Sequence, residues 1–247
     1  MENNIGQAVA LLKGSKHATA FTGAGISVES GIPPFRGDNG FWSRYDPMTL
    51  DIDFFKNNPL KSWKVIKEIF YDFFELSKPN DAHLSLAKME QQGFLKRIIT
   101  QNIDNLHQEA GSKNVVEFHG NSHTLICLDC KRRFHPSEVV LNNLPVRCSN
   151  CGGLLKPDFI FFGEDIPRQA FLDAMEAAKK SDVMLVIGTS GEVMPASQIP
   201  LLAKQSGAKI IEINIQHSHY TKEITDIFLD GKASEILSLL VSELLGD

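Results

Sequence analysis

Short apolar segments that stop abruptly at glycine or polar residues constrain this chain more than any other feature. Val183-Met184-Leu185-Val186-Ile187 is followed at once by Gly188-Thr189-Ser190, the pattern of a parallel strand buried on both faces. Ala18-Thr19-Ala20-Phe21-Thr22 runs likewise into Gly23-Ala24-Gly25, and Leu95 to Thr100 delivers Gln101-Asn102-Ile103-Asp104. Val115 to Phe118 ends at His119-Gly120, and Lys209 to Ile213 reaches Asn214. Between these runs apolar residues recur at helical spacing, as in Ile5, Ala8, Val9 and Leu12, or Ile236, Leu237, Leu240, Val241 and Leu244. Strands alternating with helices predict an α/β fold with a Rossmann-like, doubly wound parallel sheet. Ligands bind outside the carboxyl ends of such strands, so the five tips are expected to share one crevice.

Two stretches interrupt the alternation. Residues 38–80, rich in aromatics and carrying Pro47, Pro59 and Pro79, read as a helical module, and residues 123–155 hold all four cysteines. The expected division is a sheet domain from 1–37, 81–122 and 156–247, with a smaller domain from the two inserts. Cys127-x-x-Cys130, 17 intervening residues and Cys148-x-x-Cys151 match the spacing of a zinc ribbon. Four thiolates close a tetrahedral shell, so one structural Zn2+ is expected, with no open position for chemistry. A ribbon can also bind nucleic acid, but Lys131-Arg132-Arg133 is the only supporting cluster and the net charge is −5. That field repels nucleic acid and anionic membrane surfaces. No apolar run approaches the ~20 residues of a membrane span, and Met1-Glu2-Asn3-Asn4 is no basic lead into an apolar stretch. A soluble cytoplasmic protein without direct nucleic-acid or membrane partners is the expectation.

The strand tips carry the candidate chemistry. Gly23-Ala24-Gly25 resembles the opening of a dinucleotide fingerprint, although the third glycine position is Val28; alone it is a weak signal, and such a loop is more often an ordinary strand-to-helix turn. Gly188-Thr189-Ser190 is a second loop able to hydrogen-bond phosphate or ribose oxygens. His119 stands at a strand tip, where an imidazole of pKa ~6.5 can take a proton near neutrality. Asn102 and Asp104 either bind an amide and a sugar hydroxyl or cap the following helix. His17, His217 and His219 sit in connecting stretches, and His83 and His107 fall on helices.

Taken together these residues resemble the sirtuins, the NAD-dependent protein lysine deacylases. The resemblance covers nearly the whole chain: Gly23 to Ser27 with Ser30-Gly31-Ile32-Pro33-Pro34-Phe35-Arg36-Gly37, Thr100 to His107, Ala110-Gly111-Ser112, His119-Gly120 and the cysteine pairs. Phe161-Phe162-Gly163-Glu164, Gly188-Thr189-Ser190 and Gly231-Lys232-Ala233 agree in type and order. It implies NAD on the sheet domain and acyl-lysine peptides or proteins entering between the domains. Gly23, Ala24, Gly25, Ser27, Phe35 and Arg36 would close over NAD. Gln101, Asn102 and Asp104 would hold its ribose and carboxamide, with Asn102 and Asp104 sharing in catalysis. Gly188, Thr189, Ser190, Asn214 and Ala233 would meet the phosphates and adenosine. Ile160, Phe162, Gly163, Glu164 and Val193 would form the acyl-lysine tunnel and peptide groove.

The implied reaction has the acyl oxygen attack the ribose carbon as nicotinamide leaves, with His119 as general base, yielding lysine and O-acyl-ADP-ribose. ADP-ribosyl transfer to protein is the alternative use of the same pocket. Pro34 and Gly191-Glu192 depart from the commoner family residues. Glu192 beside the groove implies a bias toward basic peptides. Relatives that remove succinyl or malonyl groups carry Tyr-x-x-Arg in the helical module; here Tyr71 is followed three residues later by Phe74, with no arginine from Trp63 to Phe74, which favours simple apolar acyl groups.

Overall fold

The computed structural model describes residues 2–35 and 40–246. Helix α1 (Glu2–Gly14) leads into β1 (Ala18–Thr22), and α2 (Ile52–Asn57) and α3 (Pro59–Lys67) lie in the first insert. Then come α4 (Asp81–Gln91), β2 (Arg97–Thr100), α5 (Leu106–Glu109) and β3 (Val115–Glu117). The second insert contributes β4 (Gly120–Cys127), β5 (Arg133–Phe134) and β6 (Leu155–Phe159). The chain finishes with α6 (Arg168–Lys180), β7 (Val183–Ile187), α7 (Gln198–Gln205), β8 (Lys209–Asn214), β9 (Ile227–Asp230) and α8 (Ala233–Leu245). None of the described helices is long and apolar enough to cross a membrane.

Six strands form one parallel sheet in the order β3-β2-β1-β7-β8-β9, the doubly wound order expected. Strand side chains alternate between faces, and the two cores follow that period. Val183, Leu185 and Ile187 of β7 pack with α1, α4 and α8, while Met184 and Val186 pack with α6 and α7. The apolar stripes of α1 and α8 are buried on the first core. Strand β9 was not evident from sequence. Only Ile227 and Leu229 of its four residues are buried, too short a pattern to stand out from a polar loop.

The winding direction changes between β1 and β7, which pair from Ala18↔Val183 to Thr22↔Ile187. Their exits touch backbone to backbone: Gly23 N donates to Ile187 O (3.0 Å) and Gly25 N to Gly188 O (2.8 Å). Gly188 has φ +59°, and a Cβ there would lie 2.6 Å from Ile26 N. Only glycine permits that approach, since a side chain meets both a left-handed backbone and a clash.

The inserts share a core in which Phe55, Trp63, Ile66 and Phe70 of the helical module pack with Leu125, Leu155, Phe159 and Phe161 of the ribbon. The Trp63 indole donates to Leu155 O (2.9 Å). The three-stranded antiparallel sheet β5-β4-β6 spans Gly120 to Phe159, so it begins and ends slightly outside the 123–155 segment. All four cysteine sulfurs lie within 4.8 Å of one another. Cys127 and Cys151 Sγ are 3.5 Å apart, Cys130 and Cys148 3.7 Å. Zinc at ~2.3 Å from each of four tetrahedral sulfurs requires S···S edges of about 3.8 Å, so the thiols fit one ion. Zinc there would fasten the β4–β5 turn to the segment before β6 and, with its shell full of sulfur, would supply folding energy rather than chemistry.

Chelation is therefore expected to release about one zinc per chain and to lower the melting temperature, with the ribbon losing its fold before the six-stranded sheet does. Elemental analysis, calorimetry and circular dichroism before and after chelation check this.

Candidate active site

The parallel sheet carries the tips of β1, β2, β3, β7 and β8 to one edge, and hydrogen bonds lace them together. Gln101, the first residue past β2, donates its N–H to Thr22 O (3.0 Å) and its side-chain amide to Thr189 Oγ1 (3.1 Å). Asn214 at the end of β8 donates to Thr189 O (3.1 Å) and accepts Gly231 N (3.1 Å) through its own carbonyl. Ala233, at the start of α8, is buried two residues beyond.

His119 follows β3, with Nδ1 3.1 Å from Gln101 O. A carbonyl can only accept, so Nδ1 carries the proton and Nε2 is left with its lone pair. Burial holds the imidazole below its ordinary pKa, opposed by the bond to Gln101; it is therefore neutral at pH 7, the form a general base needs. Gly120 behind it has φ +74°, and a Cβ there would meet Asp158 O at 2.1 Å, so the turn that aims His119 depends on glycine.

Beneath the tips lies a buried polar network. Ser27 Oγ donates to Asp104 Oδ2 (2.6 Å) and accepts from Asn102 Nδ2 (3.1 Å). Asp104 also accepts Leu106 N (3.1 Å), the first turn of α5. Burial raises its pKa, while the bonds from Ser27 and Leu106 pull it back. His107 Nε2 is 2.9 Å from Thr22 Oγ1, and Thr22 Oγ1 donates to Thr100 Oγ1 (2.9 Å). His83 caps α4 with Asn80, and its ring meets that of His107 edge to face at 4.9 Å. Burial drives His83 down to about 4 and His107 well below the ordinary value, so both are neutral. The helical spacing of His83 and His107 concealed this role, because the Ser27 and Thr22 hydroxyls they reach are 56 and 85 residues away in the chain. The network has the mixed donors and acceptors, without opposing charge, that a ribose and a carboxamide require.

Opposite His119, Ile160 N donates to His119 O (2.9 Å). Phe162, half exposed, pairs with the module through Phe162 N to Leu50 O (2.9 Å) and Ile52 N to Phe162 O (3.0 Å). Gly163 and Glu164 complete that turn, and Val193 lies on the loop leaving β7, where Val193 O accepts Ser197 N (2.8 Å). Phe35 sits among Phe41, Trp42 and Phe70, with ring centroids at 5.6, 5.3 and 6.5 Å. Arg36 lies outside the described residues. Glu192 lies 3.5 Å from His219 Nε2 and accepts Ser190 Oγ (3.3 Å). Glu212, buried on β8, was not evident from sequence. It accepts the hydroxyls of Ser218, Thr221 and Thr225 and so fixes the loop after Asn214.

Known proteins resemble this chain along nearly its whole length. The Sir2 family profile matches residues 23–195. An NAD-dependent protein deacylase of Pyrococcus furiosus is 46% identical over 97% of this chain and 98% of its own length. An NAD-dependent protein deacetylase of Caldivirga maquilingensis is 44% identical over 97% and 93%. A Sir2 enzyme solved with a p53 peptide and NAD+ superimposes with a TM-score of 0.89 at 36% identity, covering 97% of this chain and 98% of that one. With the profile matching residues 23–195 and relatives 44–46% identical along nearly their full length, the chain belongs to the Sir2 family.

Proposed function

We propose that the protein removes acetyl or similar apolar acyl groups from protein lysines, consuming NAD and releasing nicotinamide and O-acyl-ADP-ribose. The observation that carries this reading is the bond from His119 Nδ1 to Gln101 O. It leaves a basic Nε2 at the edge where the glycine turns of β1 and β7 meet. NAD would lie on the domain formed by 1–37, 81–122 and 156–247, and the peptide between that domain and the inserts.

The residues fall into roles by position. Gly23, Ala24, Gly25, Gly188, Thr189 and Ser190 line the joined turns and would face the phosphates, with Asn214 and Ala233 toward the adenosine. Asn102 and Asp104, held by Ser27, would bind the ribose and carboxamide. Bound NAD supplies a ribose carbon made electrophilic by the departure of nicotinamide. The turn 160–164 would hold the acyl-lysine in line with it, as a dry, fixed geometry requires. His119 Nε2 would then take the ribose hydroxyl proton, a step that needs a neutral base within hydrogen-bond reach.

The acyl group is apolar on this reading. The Tyr71 hydroxyl donates to Ser122 O (3.0 Å) and Phe74 is buried, so neither side chain offers a charged partner to an acyl carboxylate. Burying an unpaired carboxylate is costly.

His119→Ala is expected to lower kcat by ~10²–10⁴ with zinc content and melting temperature unchanged. In the wild type, activity rises as the imidazole loses its proton; its lowered pKa puts that limb of the kcat/KM profile below pH 6.5, with a plateau above. A limb well above 7, or near-normal turnover by the variant, contradicts the assignment. With acyl-peptide panels read by mass spectrometry, acetyl-lysine should be turned over at least about tenfold faster than succinyl-lysine; equal rates contradict the apolar-acyl reading.

A further inference from the structure

A buried lysine outside the catalytic edge ties together the turn that faces the peptide. Lys156 of β6 is 4% exposed. Its three ammonium protons match three acceptors: Pro157 O (2.9 Å), Phe159 O (2.6 Å) and Glu164 Oε2 (2.9 Å). Its Nζ also stands 4.2 Å from the centroid of the Phe161 ring, a distance at which a cation is attracted by the π face. Glu164 Oε2 accepts Phe161 N (2.9 Å) as well, and Glu164 N donates to Phe161 O (3.0 Å). One ammonium and one carboxylate thus close residues 157–164 into a single turn.

That turn is where three parts of the molecule meet. Pro157 and Phe159 belong to β6, paired with β4 of the ribbon. Ile160 is bonded to His119 O, and Phe162 is bonded to Leu50 and Ile52 of the helical module. A displaced turn would shift the tunnel-facing residues relative to His119 without touching Gly23, Gly188 or the network beneath them.

We propose that Lys156, through its clamp on Glu164 and the Pro157 and Phe159 carbonyls, is a positioning residue that sets the acyl-lysine peptide's seat against His119. The inference rests on the deacylase reading and adds the side chain that holds the groove in place. A buried ion pair is weak evidence for stability, because desolvation offsets much of its attraction and an apolar residue of similar volume is often as stable. Fixed geometry is what the pair provides here: a methionine in its place fills the volume but leaves two carbonyls and a carboxylate without their common donor.

The test compares wild type with Lys156→Met, Lys156→Arg and Glu164→Gln, using an acetyl-lysine peptide at saturating NAD, with ADP-ribose affinity by calorimetry and melting temperature in parallel. Lys156→Met is expected to raise the peptide KM about tenfold or more while kcat changes less than about threefold. ADP-ribose affinity should stay within about twofold of wild type, because the strand tips are untouched. Lys156→Arg, which keeps the charge and donors, should recover part of the KM. Glu164→Gln should raise KM in the same direction, and if Lys156→Met fails to fold, Lys156→Gln replaces it, with the same rise in KM expected. An unchanged KM in a folded variant overturns the proposal, as does a parallel fall in melting temperature, kcat and ADP-ribose affinity, the mark of a purely structural role. Absent turnover by wild type would instead sink the deacylase reading and this inference with it, so the two failures are distinguishable.

Discussion

Contact between two glycine turns is the constraint on which the rest of the structure depends. β1 and β7 are neighbours at the point where the sheet reverses its winding, and Gly25 and Gly188 let their exits meet at 2.8 Å. The joined turns provide Thr22 O and Thr189 Oγ1, the two acceptors that hold Gln101. Gln101 O in turn fixes the tautomer of His119. Remove the close approach and the imidazole loses both its distance from the turns and the reason its Nε2 is basic.

Below that contact the protein buries polar groups without burying opposite charges. Ser27, Asn102, Asp104, Thr22, Thr100, His83 and His107 are all buried, and hydrogen bonds hold Asp104, whose burial would otherwise be severe. Such an arrangement keeps its orientation when water leaves, which is what stabilisation of developing charge in a closed site demands. The cost is local: His107 Nδ1 is buried with no partner. The helical module and ribbon are joined through one shared core and through Phe162, which is bonded to Leu50 and Ile52. A zinc-bound ribbon therefore reaches the chemistry mechanically, through β6 and the turn at 160–164.

How much of this was legible in the sequence depended on the range of the interaction. β7 could be read because five apolar residues precede Gly188, and His119 because a strand tip carries it; the cysteine cluster follows from spacing alone. All three signals are local. Lys156 sits in a strand before a proline, where nothing in the flanking residues distinguishes a buried ammonium from an exposed one. Its acceptors are created by the turn itself. His83 and His107 likewise look like ordinary helix residues until the fold brings Ser27 and Thr22 beside them. β9 escaped because two buried residues in four make no period.

On the proposed reading, the acyl group passes to ADP-ribose at the edge where these tips converge. The most direct measurement incubates the protein with NAD and an acetyl-lysine peptide and quantifies nicotinamide, free-lysine peptide and O-acetyl-ADP-ribose by mass spectrometry. Equal amounts of all three are expected. Free acetate as the initial product, or ADP-ribose attached to protein with the peptide still acetylated, would contradict that reading.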